Sequence, residues 1–221
     1  MKKISVAIDG PAGAGKSSIS KRVAEELGYV YIDTGAMYRA VAVYAIENGI
    51  EPGSLDIVSR LDRIDIKIKY ASGGMRVFLN GKDVSERIRE NDASMGASAV
   101  AAIPEVRERL VAMQRAMSQE GGVIMDGRDI GTVVLPQAEL KIYLTASVDE
   151  RARRRYEEYL NNGTECSFEE LKRDVIKRDE NDMNRAVSPL RRSSDAVEVD
   201  TTGNTFEQSV EIIKNMVKEL E

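Results

Sequence analysis

The sequence predicts an α/β fold, with a parallel sheet that carries helices on both faces and a small antiparallel lobe inserted into it. Short apolar runs, typical of buried strands, alternate along the chain with segments whose apolar residues recur at helical spacing. One central stretch instead alternates single apolar and polar residues, which is typical of β-hairpins. Parallel strands need long crossover connections, usually helices, so the first pattern predicts a parallel sheet.

The first part of the chain alternates predicted strands and helices. A strand over residues 4–8 runs into a glycine-rich turn, and a second strand is predicted at residues 29–32. Helical spacing predicts one helix before Gly28, a second that ends near residues 48–49, and a short third at residues 55–61. The apolar faces of the first two helices consist of Ile19, Val23 and Leu27 and of Tyr38, Val41 and Ala45.

An inserted lobe of about residues 62–90 follows. Alternating apolar residues on either side of a turn at Ser72-Gly73-Gly74 predict an antiparallel hairpin, and Asn80-Gly81 suits a further tight turn. The alternating residues are Ile64, Ile66, Ile68, Val77 and Leu79.

The rest of the chain returns to alternating strands and helices. Pro104 suits the first turn of a helix that ends at residues 121–122, and a last helix is predicted from Phe206 to Leu220. Between them, the sequence predicts strands over residues 123–125, 140–144 and 196–199, and a helix that starts its apolar stripe at Phe168.

The composition excludes several chemistries. The chain has 221 residues, enough for one or two domains at about 150 residues each. It has 37 acidic and 32 basic residues, and its net charge of −5 argues against bulk binding to nucleic acid or anionic lipid. The sequence contains no histidine, which excludes a Ser/His/Asp triad, a Cys/His dyad and His-ligated zinc. Cys166 is its one cysteine, so an internal disulfide is excluded too.

We expect a cytoplasmic protein that has no membrane association. The apolar run after the basic N-terminus stops at Asp9, which is too early for the core of a signal peptide. No apolar run approaches the roughly 18 residues typical of a membrane span. A lone thiol suits a reducing compartment.

A glycine-rich motif carries the strongest chemical signal. Residues 10–17, Gly-Pro-Ala-Gly-Ala-Gly-Lys-Ser, match GxxxxGK[ST] between a predicted strand and a predicted helix. In this motif backbone N–H groups surround phosphate oxygens, Lys16 reaches the β- and γ-phosphates, and the Ser17 hydroxyl can ligate Mg²⁺. The alternative is a glycine-rich turn with an incidental lysine. The predicted ATP-binding residues are Gly10, Pro11, Ala12, Gly13, Ala14, Gly15, Lys16, Ser17 and Ser18.

The motif occurs in switches, motors and small-molecule kinases, so it does not fix the class of protein. No NKxD segment is present to read guanine, which argues against a GTPase switch. Asp126 ends an apolar strand and is a candidate for the Mg²⁺ shell, through water. Capping of a strand or turn explains this residue equally well.

A second candidate anion site lies on a predicted helix, where an apolar stripe becomes charged. The stripe consists of Phe168, Leu171 and Val175, followed by Arg178, Asp182 and Arg185. Charges on a core-facing stripe are costly unless they are paired or face a ligand. These residues therefore line a polar site, or the helix runs past the core and leaves an exposed ion-paired face.

Further arginines suit the binding of oxyanions, because the guanidinium fork binds phosphate through two N–H groups. They are Arg39, Arg107 and Arg128. A solvated surface explains each of them singly. Arg151, Arg154 and Arg155 are either an exposed ion-paired helix or part of a helical lid that closes over phosphates and excludes water.

Four segments together resemble the bacterial cytidylate kinases. They are residues 10–17, residues 33–39 (Asp-Thr-Gly-Ala-Met-Tyr-Arg), residues 126–133 (Asp-Gly-Arg-Asp-Ile-Gly-Thr-Val), and Arg178-Asp179 with residues 184–190 (Asn-Arg-Ala-Val-Ser-Pro-Leu). The resemblance spans almost the whole chain. It implies a kinase that transfers the γ-phosphoryl group of ATP, with Mg²⁺, directly to CMP and dCMP. The products, CDP and dCDP, would enter pyrimidine nucleotide metabolism.

The resemblance also implies how the chain is divided. A P-loop NTPase core would comprise residues 1–33 and 91–221, including the lid at about residues 149–166. Residues 34–90 would form the region that binds the nucleoside monophosphate, with the antiparallel insert inside it. We expect a monomer that acts on the small nucleotides ATP, CMP and dCMP, without nucleic acid or membrane as partners.

Roles for single residues follow from the same resemblance. The acceptor's phosphate would be held by Thr34, Arg39 and Arg128, its sugar approached by Arg178 and Asp182, and its base surrounded by Ser98, Arg107, Asp129 and Arg185. The catalytic residues would be Lys16, Arg128, Arg151 and Arg155, the last two from the lid.

The residues implied for the base suit cytosine chemically. Cytosine offers an amine donor beside ring and carbonyl acceptors, so its pocket needs one carboxylate, Asp129, and several donors. Uracil has an oxygen in place of the amine and would leave that carboxylate unpaired. Two rivals stay open: a small-molecule kinase with another acceptor, and a P-loop ATPase or switch that acts on a protein or nucleic-acid partner.

Overall fold

The structure is a computed structural model that describes residues 3–71, 74–161, 163 and 165–221. It contains two compact units, which we call unit 1 (Met1–Tyr31 with Glu120–Glu221) and unit 2 (Ile32–Gln119). Of the turn predicted at residues 72–74, Ser72 and Gly73 lie outside the described residues.

Strands and helices follow the predicted order along the chain. The elements are β1 (Ser5–Asp9), α1 (Lys16–Leu27), β2 (Val30–Asp33), α2 (Thr34–Glu47), β3 (Ile66–Ala71), β4 (Gly74–Leu79), β5 (Lys82–Asp83), α3 (Asn91–Val100), α4 (Pro104–Met117), β6 (Val123–Gly127), β7 (Leu140–Thr145), α5 (Val148–Asn161), α6 (Phe168–Asn184), β8 (Val197–Asp200) and α7 (Phe206–Lys218). Short 3₁₀ helices lie at Leu55–Arg63 and Arg87–Arg89, and a π-helical turn lies at Ile130–Val134.

The larger sheet has five strands in the order β2-β6-β1-β7-β8. β1 pairs in parallel with β6 and β7, and β7 pairs in parallel with β8. The α/β class with a parallel sheet is therefore confirmed. Because parallel strands end at the same edge, the register of Ile8 with Asp126 places the glycine-rich loop after β1 beside the end of β6.

Unit 1 has its own apolar core, built where the strands meet α1 and α7. Central strands contribute side chains that are buried completely, such as Val6, Ile124 and Leu144. Val23 and Ile213 supply the facing helix side chains. The predicted apolar face of the last helix is confirmed for Val210, Ile213 and Val217, which are buried in α7. It is wrong for Phe206 and Leu220, which share the same spacing but are exposed.

Unit 2 holds the predicted antiparallel lobe. Its three-stranded sheet has the order β3-β4-β5, and Ile66 pairs with Leu79 while Ile68 pairs with Val77. The alternation therefore places one apolar face against the core of this unit, where Val77 is 1% exposed.

Unit 2 contains more of the chain than the inserted lobe of about residues 62–90. Helix α3 was not predicted, and its side chains Ala93, Ala97 and Val100 share one core with α2 and with Leu110 of α4. Residues up to Gln119 therefore pack in this unit. The short helix expected at residues 55–61 is a 3₁₀ helix, Leu55–Arg63.

Within the described residues, no helix is long and apolar enough to cross a membrane.

Candidate active site

The loop between β1 and α1 has the backbone form of a phosphate cradle. Gly13 and Gly15 have positive φ angles of 77° and 88°, a region that favours glycine. At Gly10 there is no space for a side chain, since a Cβ there would lie 2.0 Å from the carbonyl oxygen of Leu144. The predicted motif is thus built into the loop as a sharp turn that leads into the N-terminus of α1.

Lys16 opens α1 and is buried beneath this loop. Its ammonium group donates to the carbonyl oxygen of Pro11 at 2.8 Å. Burial lowers the pKa of Lys16 well below its usual value, and the nearby charge of Arg128 acts in the same direction. An anionic ligand in the cradle would relieve both effects, so this lysine is set up to receive negative charge.

Ser17 and Asp126 meet at the end of the parallel strands. The Ser17 hydroxyl donates to Oδ2 of Asp126 at 2.8 Å, and the Tyr31 hydroxyl bonds Oδ1 of the same carboxylate at 2.8 Å. Asp126 is therefore a partner of the phosphate loop, and the alternative of a simple strand cap does not describe it.

The pair of Ser17 and Asp126 fits a Mg²⁺ ion. Mg²⁺ prefers oxygen ligands and takes few of them from protein, because water and phosphate oxygens supply the rest. A hydroxyl and a carboxylate already 2.8 Å apart provide such a donor set. Among the described residues no group of three or more Cys, Asp or Glu side chains is placed to hold a metal.

Asp9 belongs to the site although the sequence did not single it out. Its two carboxylate oxygens accept from the backbone N–H groups of Ile130 and Gly131 at 2.7 and 2.8 Å. Burial raises the pKa of Asp9 to about 6, against the lowering effect of these two hydrogen bonds. Asp9 thereby anchors the segment that directly follows Arg128 and Asp129.

Arg128 and Asp182 form a close ion pair, with Nε 2.7 Å from Oδ2. Burial works against both charges, yet their mutual attraction raises the pKa of Arg128 and lowers that of Asp182. Arg178 adds positive charge near both Asp182 and Lys16. An exposed face therefore does not describe Asp182, which is 7% exposed and paired with Arg128.

Asp129 and Arg185 are also brought together, with Nη2 of Arg185 3.8 Å from Oδ1 of Asp129. Arg185 directly follows α6, and its Nε donates to the carbonyl oxygen of Ser188 at 2.6 Å. Ser188 has a φ of 47°, so the chain turns tightly there. This turn directs Arg185 back toward the Asp129 carboxylate, which is buried.

The arginines of α5 do not form the exposed ion-paired helix that was one of their two predicted alternatives. Arg151 is 4% exposed, and its guanidinium donates to the carbonyl oxygens of Ala146 and Ala12 at 2.9 Å each. This burial excludes an exposed ion-paired face for Arg151, and its role in a lid stays a prediction. Arg155 is half-buried, and its guanidinium lies over the Tyr159 ring at 5.6 Å.

Arg154, the remaining arginine of that group, also contacts the phosphate loop. Its Nη1 donates to the carbonyl oxygen of Ala14 at 3.4 Å, and its Nη2 donates to that of Thr201 at 2.9 Å. Burial lowers the pKa of Arg154. Two arginines of α5 therefore hold carbonyl oxygens of the loop, which leaves its N–H groups for a ligand.

In unit 2, Asp33 organises the start of α2. Its Oδ1 accepts from the backbone N–H of Ala36 at 2.9 Å, which caps the helix, and its Oδ2 lies 2.7 Å from Nη2 of Arg39. Thr34, the first residue of α2, is buried. The Asp-Thr-Gly segment thus holds the guanidinium of Arg39 in place beside the N-terminus of a helix, a position that favours anions.

Arg107 and Ser98 lie on α4 and α3 of the same unit. Arg107 is buried in the first turn of α4, where its Nη1 donates to the carbonyl oxygen of Ala101 at 3.1 Å. Its guanidinium lies 5.4 Å from the centre of the Tyr38 ring, within cation–π range. Ser98 is half-buried on α3.

A family model described as cytidylate kinase matches residues 6–219 of the chain. The chain belongs to the cytidylate kinase family. A curated cytidylate kinase of Caldicellulosiruptor bescii is 54% identical over 209 residues, which cover 94% of this chain and 92% of that protein. A cytidylate kinase of Anoxybacillus flavithermus is 50% identical over 219 residues, which cover 99% of this chain and 97% of that protein.

The fold also occurs in a solved structure of an uncharacterized protein from Eubacterium ventriosum. It covers 99% of both chains with a TM-score of 0.52 at 13% identity, so it bears on the fold alone. The resemblance to cytidylate kinases seen in four sequence segments is confirmed by the family match and the curated relatives.

For this cytidylate kinase family member, sequence reasoning missed three groups that support the site. Asp9 carried a signal, since a carboxylate at the end of an apolar strand is unusual. Tyr31 and Asp179 carried none, because their partners, Asp126 and Arg151, lie far away in the sequence.

Proposed function

We propose that the protein is an ATP-dependent kinase that phosphorylates CMP and dCMP, giving CDP and dCDP together with ADP. The observation that carries the proposal is the phosphate cradle with its buried Lys16 and the adjoining Ser17–Asp126 pair, in a member of the cytidylate kinase family. The cradle supports a triphosphate donor, and the family supports a cytidine monophosphate as acceptor.

The donor would be held by the phosphate loop, residues 10–18, with Lys16 on its β- and γ-phosphates. Ser17 would hold Mg²⁺ directly and Asp126 through water. When bound, Mg²⁺ supplies positive charge that offsets the negative charge of the phosphate oxygens. Tyr31 would keep the Asp126 carboxylate oriented toward this position.

The acceptor would be bound through its phosphate, its sugar and its base. We assign its phosphate to Thr34, Arg39 and Arg128, and its sugar to Arg178 and Asp182. Its base would be read by Ser98, Arg107, Asp129 and Arg185. The Asp129 carboxylate would accept from the exocyclic amine of cytosine, and the arginines and the serine would donate to its acceptors.

The transfer itself needs no covalent intermediate and no strong general base. The second pKa of a phosphate monoester is about 6, so the acceptor's phosphate oxygen is already ionised at neutral pH. Lys16, Arg128 and Arg155 would align the reacting groups and compensate the charge of the in-line transition state. The lack of histidine in the sequence is compatible with this chemistry.

We propose that the enzyme works in the cytoplasm as a monomer on small nucleotides, without nucleic acid or membrane as partners. The net charge of −5 supports the proposal that nucleic acid is not a partner, since nucleic-acid binding relies on clustered positive charge. The single cysteine supports a reducing compartment.

An ADP-release assay with MgATP and each of CMP, dCMP, UMP, AMP and GMP tests the proposal. We expect strong turnover with CMP and dCMP, and loss of that turnover in Lys16→Ala. Turnover with a different acceptor would keep the kinase class and contradict the residues assigned to the base. No turnover with any of the five would contradict the proposal and favour an ATPase or switch.

A further inference from the structure

Arg151 and Asp179 form a buried link between helices α5 and α6. Nη2 of Arg151 lies 2.6 Å from Oδ2 of Asp179, and the two side chains are 5% and 9% exposed. Truncating either partner of such a pair leaves an uncompensated buried charge, so the link holds the two helices firmly together.

The same guanidinium also holds the phosphate loop. Its Nη1 donates to the carbonyl oxygen of Ala12. Its Nε donates to the carbonyl oxygen of Ala146, which directly follows β7. The loop packs directly on this residue, since a Cβ on Gly13 would lie 3.1 Å from Cβ of Arg151. One planar group therefore fixes the loop, α5 and α6 relative to one another.

Asp179 occupies a particular place on α6. It directly follows Arg178 and precedes Asp182 by three residues, so the three side chains lie within little more than one turn of the helix. Asp182 in turn pairs with Arg128. A shift of α6 at Asp179 would therefore move the residues assigned to the acceptor, while a shift of Arg151 would move the loop assigned to the donor.

We propose that Arg151 and Asp179 are a pair of positioning residues that sets the phosphate loop and helix α6 at the spacing needed for phosphoryl transfer. The proposal rests on the proposed function for the identity of the two ligands. It replaces the role of Arg151 as a mobile lid residue. Neither side chain needs to touch a substrate, because each acts through a neighbour: Ala12 on the donor side and Asp182 on the acceptor side.

A second ion pair joins the same two helices and provides a matched control. Nζ of Lys172 on α6 lies 2.5 Å from Oδ1 of Asp149 on α5, but these side chains are 33% and 70% exposed. Exposed pairs of this kind contribute little to stability. Asp149→Asn and Asp179→Asn are thus the same chemical change in the same pair of helices, once at the surface and once under the loop.

The test compares the steady-state kinetics of Asp179→Asn and Asp149→Asn with wild type, at a temperature well below every melting point. We expect Asp149→Asn to match wild type. We expect kcat/KM of Asp179→Asn to fall about tenfold or more, with KM raised for both MgATP and CMP, because a misplacement of about 1 Å can cost about 100-fold in rate. Wild-type values for Asp179→Asn would overturn the proposal.

A double variant separates positioning from a purely structural role. Arg151→Met with Asp179→Leu removes both charges, and apolar replacement of a buried pair is often neutral for stability. Positioning predicts that the melting temperature recovers toward wild type while kcat/KM stays low. Recovery of both quantities would overturn the proposal, since the pair would then only satisfy buried charge.

If the double variant does not fold, Arg151→Lys distinguishes positioning from a purely structural role. It keeps the charge but cannot donate to Ala12, Ala146 and Asp179 together, so we expect kcat/KM to stay low. Rescue to wild-type kinetics would contradict a requirement for the guanidinium fork.

The two proposals fail in different ways. A wild-type enzyme inactive toward CMP would contradict the proposed function. Calorimetric affinity for MgATP would still decide this inference, because Asp179→Asn is expected to weaken ATP binding severalfold relative to Asp149→Asn. Equal affinities would overturn it.

Discussion

At the scale of single residues, Asp129 carries the expected choice of base. Its buried carboxylate would pair with the amine of cytosine and repel the oxygen that uracil has in that place. We expect Asp129→Ala to reduce the preference for CMP over UMP by about 5- to 150-fold, the effect of roughly 1–3 kcal/mol for one unsatisfied buried group. The measurement is the ratio of kcat/KM for the two acceptors. An unchanged ratio would show that another residue reads the base.

Tyr31 offers a residue-scale test of the metal-binding side. Tyr31→Phe removes the hydroxyl that bonds Oδ1 of Asp126, so the carboxylate loses one of its two described side-chain contacts. We expect KM for MgATP to rise severalfold with a smaller change in KM for CMP. The loss in stability should stay near 1 kcal/mol, as is usual for one hydrogen bond.

Tyr29→Phe is the matched control for that change. Tyr29 is equally buried, but its hydroxyl bonds the N–H of Ile4 and the carboxylate of Glu221, away from Asp126. It should lose similar stability and keep the wild-type KM for MgATP. Identical kinetics for the two variants would contradict the role of Tyr31.

At the scale of elements, Asp9 links β1 to the π-helical turn after Arg128. Its pKa is raised from 3.8 to about 6 in the folded protein, so the folded state binds a proton more readily than the unfolded chain between these values. The free energy of unfolding of wild type should therefore fall as the pH rises from about 4 to about 6, on the order of 3 kcal/mol for this group. The penalty then persists above pH 6.

Asp9→Asn removes this titration and isolates its effect. Urea unfolding of both proteins from pH 4.5 to 7.5 measures the difference in unfolding free energy, in which the other carboxylates cancel. We expect wild type to lose stability relative to Asp9→Asn as the pH rises through this window. A difference that stays constant with pH would show that Asp9 titrates normally.

Most elements were predictable because their signals are local. The strands of the parallel sheet are short apolar runs, and β3 and β4 alternate as hairpin strands do. Helix α3 was missed, because its small residues form no strong apolar stripe. Its small residues instead allow a close approach to α2: a Cβ on Gly96 would lie 2.9 Å from Cβ of Ala42.

The candidate site was predictable only in its contiguous parts. The motif and its context predict the glycine-rich loop and the Asp126 segment. The burial of Arg151 does not, because it depends on Ala12, which lies 139 residues away along the chain. Periodicity identified the charged stripe but not Asp179, which lies next to the stripe on α6 and is buried.

At the scale of the whole molecule, each unit carries its own apolar core, and the phosphate loop belongs to unit 1. A ligand at about 100 times its Kd stabilises its folded site by about 2.7 kcal/mol. For a chain of this length that corresponds to a rise in melting temperature of roughly 5–10 °C with saturating MgATP.

Thermal unfolding followed with and without MgATP checks this expectation. Lys16→Ala should show little or no shift, since the change removes the residue proposed to bind the β- and γ-phosphates. Hydrogen exchange should place the protection in β1, α1 and β6. A shift of equal size in Lys16→Ala would indicate that ATP binds elsewhere.

The order of strands has a consequence for synthesis of the protein. β1 is made well before both of its neighbours, whose pairing with it begins at Val123 and Leu140. At about 5–20 residues per second, translation leaves this apolar strand without its partners for several seconds to tens of seconds. The loop after β1 cannot reach its folded surroundings during that time, so we expect β1 to be shielded by chaperones or by transient local burial until β7 emerges.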